Sequence, residues 1–166
     1  MAALASKLTW EEFQLRYAHS ERSYEYWYGE AVPKASATWM HGLSQAIIGN
    51  LLMKQGYKAG SEVELRIDPS AYPKPDVIAT KGPLETPYPT KAVDVVVEVL
   101  SKDDAMPYVL QKCRAYESWG FPFIYVVDPE SRTLFRWTGQ ALAVTDSLTS
   151  NPAAAIWAEL DKALKS

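Results

Sequence analysis

The sequence predicts a mixed α/β protein, with a mixed central sheet flanked by helices. Helix and strand signals alternate along the 166 residues with no internal repeat and no linker-like stretch. The run Ala92-Val-Asp-Val-Val-Val-Glu-Val-Leu100 and the run Phe123-Ile-Tyr-Val-Val127 are both too apolar for half-exposed strands and read as strands buried on both faces. Residues 103–119 lie between them and carry an apolar arc at helical spacing.

Each element has a local reason. Thr9 with Glu12 three residues on forms a capping box that opens a short helix. Tyr24-Glu-Tyr-Trp-Tyr28, Gly29 and Glu30-Ala-Val32 read as a hairpin with alternating sides. Ser36 is placed to cap a longer helix running through Leu51 and Leu52 and stopped by Gly56. Strands are expected at 61–67, 75–80 and 92–100. The next helix starts near Asp103 or Asp104, accommodates Pro107 in its first turn and ends at Gly120. Strand 123–127 follows, then a hairpin of 133–137 and 141–145 around Thr138-Gly139-Gln140. Asn151-Pro152 begins a final amphipathic helix, with Asn as the cap and Pro in the first helical position.

The length fits one domain, residues 1–166, with a substantial core. A single cysteine, Cys113, excludes an internal disulfide framework and fits a reducing compartment. No signal-peptide hydrophobic region opens the chain, and no apolar run approaches the ~20 residues of a membrane span, so a cytoplasmic protein with no membrane association is expected. A net charge of −3 and a pI near 5.4 argue against a general nucleic-acid-coating protein, though not against an enzyme that engages nucleic acid locally. The eight glycines are scattered and build no phosphate loop.

Three charges fall where a chain ordinarily avoids them. Glu98 interrupts the buried run 92–100, and Asp76 follows Pro75 at the head of the apolar stretch Val77-Ile78-Ala79. Lys112, at ~100° per residue, falls inside the arc defined by Val109, Cys113 and Tyr116, whereas Gln111, Arg114 and Ser118 take the wet face. Buried charges are costly unless paired or metal-bound. Each has an ordinary alternative. Lys112 alone reads best as a snorkelling lysine whose ammonium reaches water. Glu98 alone could be a structural ion pair, and Asp76 alone a turn residue bonded to local backbone. Asp94 shares a strand face with Glu98. Acid, acid and lysine carried on strand, strand and succeeding helix nonetheless suggest a site.

That arrangement resembles the PD-(D/E)XK nuclease superfamily and, within it, the Uma-type family of putative restriction endonucleases. The resemblance is carried by Pro75-Asp76-Val77, Val97-Glu98-Val99-Leu100-Ser101, Lys112 with Tyr116, and Gly120-Phe-Pro-Phe-Ile-Tyr-Val-Val-Asp-Pro129. Tyr24-Glu-Tyr-Trp-Tyr-Gly-Glu30 and His41 also match, so it spans residues 20–138. The lysine that the superfamily places two residues after the glutamate is Leu100 here; the family supplies it from the following helix, at Lys112. The acid that often shortly precedes that lysine is replaced by Tyr108.

The resemblance implies a restriction-endonuclease-like core and a centre in which Asp76, Glu98 and the Val99 carbonyl ligate Mg²⁺, with Mn²⁺ as a substitute. Lys112 would orient the attacking water and stabilise charge on the phosphate. Glu30 and His41 would be accessory residues. The substrate would be nucleic acid, DNA being favoured, and the protein a homodimer. Two other functions remain open: a catalytically inactive nuclease-fold module for binding or assembly, favoured by the acidic pI and the missing acid, and a phosphoesterase acting on small nucleotides. Glu62 and Glu64 receive no role. Tyr24, Tyr26, Trp27 and Tyr28 could stack on bases, though packing of the hairpin explains them as well.

Overall fold

The capping box at Thr9 forms as expected: its hydroxyl accepts from the Glu12 amide at 3.2 Å and its own amide donates to the Glu12 carboxylate at 2.8 Å. It opens α1 (Trp10–Tyr17) in a computed structural model that describes residues 6–166. Residues 1–5, part of the stretch read against a signal peptide, lie outside the described residues. Next comes the hairpin of β1 (Tyr24–Trp27) and β2 (Glu30–Pro33), turned at Tyr28 and Gly29 with φ of 49° and 86°. Two successive positive φ angles match the right-handed twist of the strands, and only glycine adopts the second without strain.

Helix α2 (Trp39–Lys54) is capped by Thr38 and not by Ser36; the Thr38 hydroxyl accepts from the His41 amide at 3.2 Å, and Gly56 at φ 89° stops the helix. The strand expected at 61–67 is replaced by β3 (Lys58–Gly60) and a loop. Glu62 has a φ of 58°, and the Leu65 and Arg66 amides donate to the carbonyls of Pro73 and Pro89, so this stretch spends its amides on loops and none on a ladder. Then follow β4 (Ala71–Tyr72), β5 (Val77–Thr80) and β6 (Val95–Val99).

Helix α3 (Met106–Ser118) starts later than expected. The Asp104 carboxylate accepts from the Ser101 amide at 2.7 Å and closes a turn, which leaves Ala105 to cap the helix without a side-chain bond. Strands β7 (Phe123–Asp128), β8 (Thr133–Trp137) and β9 (Leu142–Val144) match their expected positions. Two short strands, β10 (Ser147–Leu148) and β11 (Asn151–Pro152), precede α4 (Ala153–Lys165). Asn151 does not cap α4: its side chain donates to the Leu51 carbonyl, and the Ala153 amide finds the Asp146 carbonyl at 2.7 Å.

The main sheet has the order β3-β5-β6-β7-β8-β9, antiparallel except for the β6–β7 pair that α3 connects. It is the mixed sheet flanked by helices that the pattern predicts. Alternation divides its residues between two apolar layers. Val77, Ala79, Val95, Val97, Tyr125 and Val127 pack with Ile48 and Leu52 of α2 and Ile156 of α4. Ile78, Val96, Ile124 and Val126 pack with Val109, Cys113 and Tyr116 of α3 and with Trp27. Glu98 follows Val96 by two residues and shares that second face. A separate sheet, β2-β1-β4, brings β1 to the same side, where Trp27 stacks on Trp119 with ring centroids 6.1 Å apart.

The turn at Gly29 therefore governs where β1 lies. A β-carbon on Gly29 would come 2.5 Å from the Lys7 β-carbon, in a backbone conformation that already disfavours one. Gly29→Ala is expected to cost about 1–3 kcal/mol, measured as a lowered urea midpoint. An unchanged midpoint would show that the hairpin tolerates another turn.

Candidate active site

Asp76 immediately precedes β5. Because Val77 pairs with Val97, the register continues to place Asp76 opposite Glu98. The Asp76 Oδ2 atom accepts from the Val99 amide at 2.7 Å, which ties its carboxylate to the backbone beside Glu98. Its Oδ1 atom accepts from Gln45 at 3.0 Å and faces the Lys34 ammonium at 3.5 Å, while His41 Nε2 approaches Oδ2 at 3.4 Å. Glu98 receives two donors on one oxygen: Lys112 Nζ at 3.2 Å and the Tyr116 hydroxyl. Lys112 in turn reaches Glu25 Oε2 at 3.0 Å. Asp76, Glu98 and Lys112 are only 3–6% exposed, and Glu25 is 1% exposed.

Charge and burial oppose one another here, with different outcomes at each group. Burial works against the Asp76 charge, but the His41 hydrogen bond, the Lys34 and His41 charges and the Val99 amide outweigh it and hold the carboxyl well below its usual range. Burial prevails at Glu98. Its carboxyl is pushed up to about 8, with the Asp76 and Glu25 charges adding to the effect and Lys112 only partly opposing it. Glu25 is equally buried, yet Lys112, Lys34, the Tyr108 hydroxyl and the Lys74 amide keep it below its ordinary value. Burial disfavours the Lys112 ammonium, but Glu25 and Glu98 raise it well above the usual lysine range. His41 is raised through its hydrogen bond to Asp76.

The sequence matches a family model over residues 10–159, described as Uma2, putative restriction endonuclease. The chain belongs to the Uma2 family. A crystal structure of a putative nuclease belonging to DUF820 from Anabaena variabilis superposes with a TM-score of 0.72 at 21% identity, over 92% of this chain and 99% of that one. At that identity the likeness speaks for the fold. No curated protein matches the sequence.

For this Uma2 chain, Asp76, Glu98, Val99, Lys112 and His41 all line one cavity of about 490 Å³. Glu30 does not: it is exposed at the start of β2, opposite Trp27. Asp94 is also elsewhere, accepting from the Thr80 hydroxyl and the Lys81 amide. Lys112 is not a snorkelling lysine, since its ammonium ends between two buried carboxylates. Nor is Asp76 a locally bonded turn residue. The inward-facing Cys113 is a buried thiol pushed up to about 12 by desolvation, in keeping with a small apolar group.

Glu25, Lys34, Gln45 and Glu62 also line the cavity, and the sequence assigned them no role. Glu62 accepts from both Lys34 at 2.6 Å and Gln45 at 2.9 Å. The hairpin alternation carried one usable signal. Glu25 shares a strand face with Trp27, and a carboxylate beside an inward-facing tryptophan must be buried or the register is wrong.

The donor set suits a hard cation. Asp76 and Glu98 offer carboxylate oxygens beside the Val99 peptide, and Mg²⁺ is commonly held by one or two carboxylates together with waters and substrate oxygens. Among the described residues, no group of three or more His, Cys, Asp or Glu side chains is disposed to hold a metal. A metal here would have at most the two carboxylates and a backbone oxygen from the protein, with water completing its shell.

Glu98 ionises in the unfolded chain near pH 4.5 but not until about 8 in the fold. Its contribution to stability is complete below pH 4.5 and is lost as the pH rises through 8. Glu98→Gln keeps an acceptor for Tyr116 and cannot ionise. In metal-free buffer the variant should gain stability relative to wild type between pH 5 and 8.5, read from urea midpoints. Parallel pH profiles would place the Glu98 ionisation outside this range.

Proposed function

We propose that the chain is a Mg²⁺-dependent nuclease that hydrolyses phosphodiester bonds at a centre formed by Asp76, Glu98 and Lys112, with residues 1–166 acting as one domain. The observation that carries this reading is the meeting of two strand-borne carboxylates and one helix-borne ammonium, all buried, in the wall of one cavity. Stability alone does not account for such charges, because a well-packed apolar set is as stable or more so. Membership in a family described as putative restriction endonucleases supports the same class of reaction.

Asp76 and Glu98 would hold the metal, with the Val99 carbonyl as a further oxygen ligand. Bound Mg²⁺ supplies a Lewis acid at the phosphate and a water of lowered pKa. The protein's own groups do the rest. Asp76 is ionised throughout the neutral range, so it presents a ready anionic ligand. Glu98 holds its proton to about pH 8, so its use as a metal ligand would require release of that proton. Lys112 is held as an ammonium chiefly by Glu25, with Glu98 as a second acceptor, a preorganised donor for the charge that develops on phosphate oxygens. Lys34 lines the cavity beside Asp76 and adds a second positive group against a polyanion. DNA is the proposed substrate, Mn²⁺ the proposed substitute metal and a homodimer the proposed unit for cutting two strands.

A second reading, a module that binds without catalysis, is favoured by one observation: both Asp76 oxygens already have protein partners. The two readings separate on Mg²⁺ calorimetry and plasmid cleavage in one buffer. The nuclease reading expects binding and cleavage in the wild type and neither in Glu98→Gln. Lys112→Met should bind Mg²⁺ yet cleave about 10²–10³-fold more slowly, the usual loss for a preorganised charge-stabilising donor. Absence of Mg²⁺ binding by the wild type at millimolar metal would overturn the enzyme and leave the binding module.

A further inference from the structure

The Glu25 carboxylate is 1% exposed, with three hydrogen-bond donors and one ion-pair partner. Its Oε1 atom accepts from the Lys74 amide at 2.7 Å. Its Oε2 atom accepts from the Tyr108 hydroxyl at 2.7 Å and Trp27 Nε1 at 3.1 Å, and lies 3.0 Å from Lys112 Nζ. With about two lone pairs per oxygen, Oε2, the oxygen toward Lys112, has none left for a metal, and the side chain as a whole is 1% exposed. These four partners come from separate places in the fold: β1 itself, the loop between β4 and β5, and two successive turns of α3. Such a carboxylate cannot shift without breaking several bonds at once.

Lys112 has the opposite character. Its stem is long and flexible, and an ammonium has no directional preference of its own. Glu98 alone could hold it from only one side, through an oxygen it shares with Tyr116. The Tyr108 ring lies against the same ammonium, with Nζ 5.2 Å from its centroid. The aim of Lys112 is therefore set by the Glu25 carboxylate and the Tyr108 ring together with Glu98.

We propose that Glu25 is the positioning residue for Lys112: it takes no part in metal binding, and it fixes the lysine ammonium so that its remaining donor faces the cavity. This rests on the nuclease reading, in which Lys112 is the group that meets the phosphate. The three-stranded sheet β2-β1-β4 is then a working part of the centre, because it carries the anchor for a lysine on α3.

Glu25→Gln keeps the shape and removes the charge. Tyr108→Phe keeps the ring, removes one of the bonds that fix Glu25, and serves if Glu25→Gln does not fold. Three measurements are made on each variant and on wild type: Mg²⁺ binding by calorimetry, the rate of reductive methylation at Lys112 by mass spectrometry, and plasmid cleavage. In Glu25→Gln we expect Mg²⁺ affinity unchanged within threefold, Lys112 methylated at least about 10-fold faster as it swings free, and kcat lower by about 10–100-fold at constant KM, the usual loss when the outer partner of a site group is removed. Tyr108→Phe should move methylation and kcat the same way by less.

Loss of Mg²⁺ binding in Glu25→Gln would make Glu25 a ligand and overturn the proposal. Unchanged methylation of Lys112 in the variants would overturn it as well, by showing that Glu98 and Tyr116 suffice. Wild-type cleavage rates in Glu25→Gln would do the same. Should the wild type neither bind Mg²⁺ nor cleave, the nuclease reading fails by itself, and methylation of Lys112 still decides whether Glu25 holds it.

Discussion

One ammonium between two buried carboxylates organises this protein. Lys112 is only 6% exposed, so α3 can pack on the sheet only if the fold supplies acceptors at its tip. One comes from β6 as Glu98 and the other from β1 as Glu25. Three elements distant in sequence are thereby pinned to one point, and none can be displaced without leaving a charge unpaired. The apolar layer around Trp27, Val96, Val109 and Tyr116 gives that face its bulk stability; the ion cluster decides its registration.

A single positive charge does not satisfy two carboxylates equally. Glu25 collects three hydrogen-bond donors and the Lys112 ion pair and stays ionised, whereas Glu98 has one oxygen shared by Lys112 and Tyr116 and lies beside the negative charge of Asp76. The difference in hydrogen bonding separates two otherwise similar acids, pushing one down and the other up to about 8. Glu98 is thus the one member of the cluster short of cationic partners, at the position where two strands end and a cavity begins. A divalent cation proposed there would relieve that shortage. Asp76, held by Gln45, Lys34, His41 and the Val99 amide, is stiff by comparison.

How much of this is legible in one dimension depends on how locally each feature is encoded. The β6 run, the Gly56 and Gly120 stops and the Thr9 capping box are written within a few residues, and all of them form. Residues 61–67 alternate like a strand and yet form a loop, because the neighbouring prolines and the left-handed Glu62 turn its amides toward Pro73 and Pro89. Asn151 has the form of a cap, but its side chain is drawn to Leu51 of a distant helix. In the hairpin, attention falls on Glu30 after the glycine, while the buried acid is Glu25. The turn at Tyr28 and Gly29 sets Glu30 outside, and only packing against α3 reveals what the inward face of β1 touches.

The sequence by itself determined the fold class, the family and the trio Asp76, Glu98 and Lys112, because a charge inside an apolar period conflicts with its immediate neighbours and that conflict is visible locally. Only the tertiary structure decided the partners of that trio: Glu25 for Lys112, and Lys34, Gln45 and His41 for Asp76. Those pairings are long-range, and Lys34 and Gln45 sit in surroundings ordinary enough to pass for solvated surface residues. Burial of a charge is a local statement about one side chain, whereas its neutralisation is a property of the folded chain.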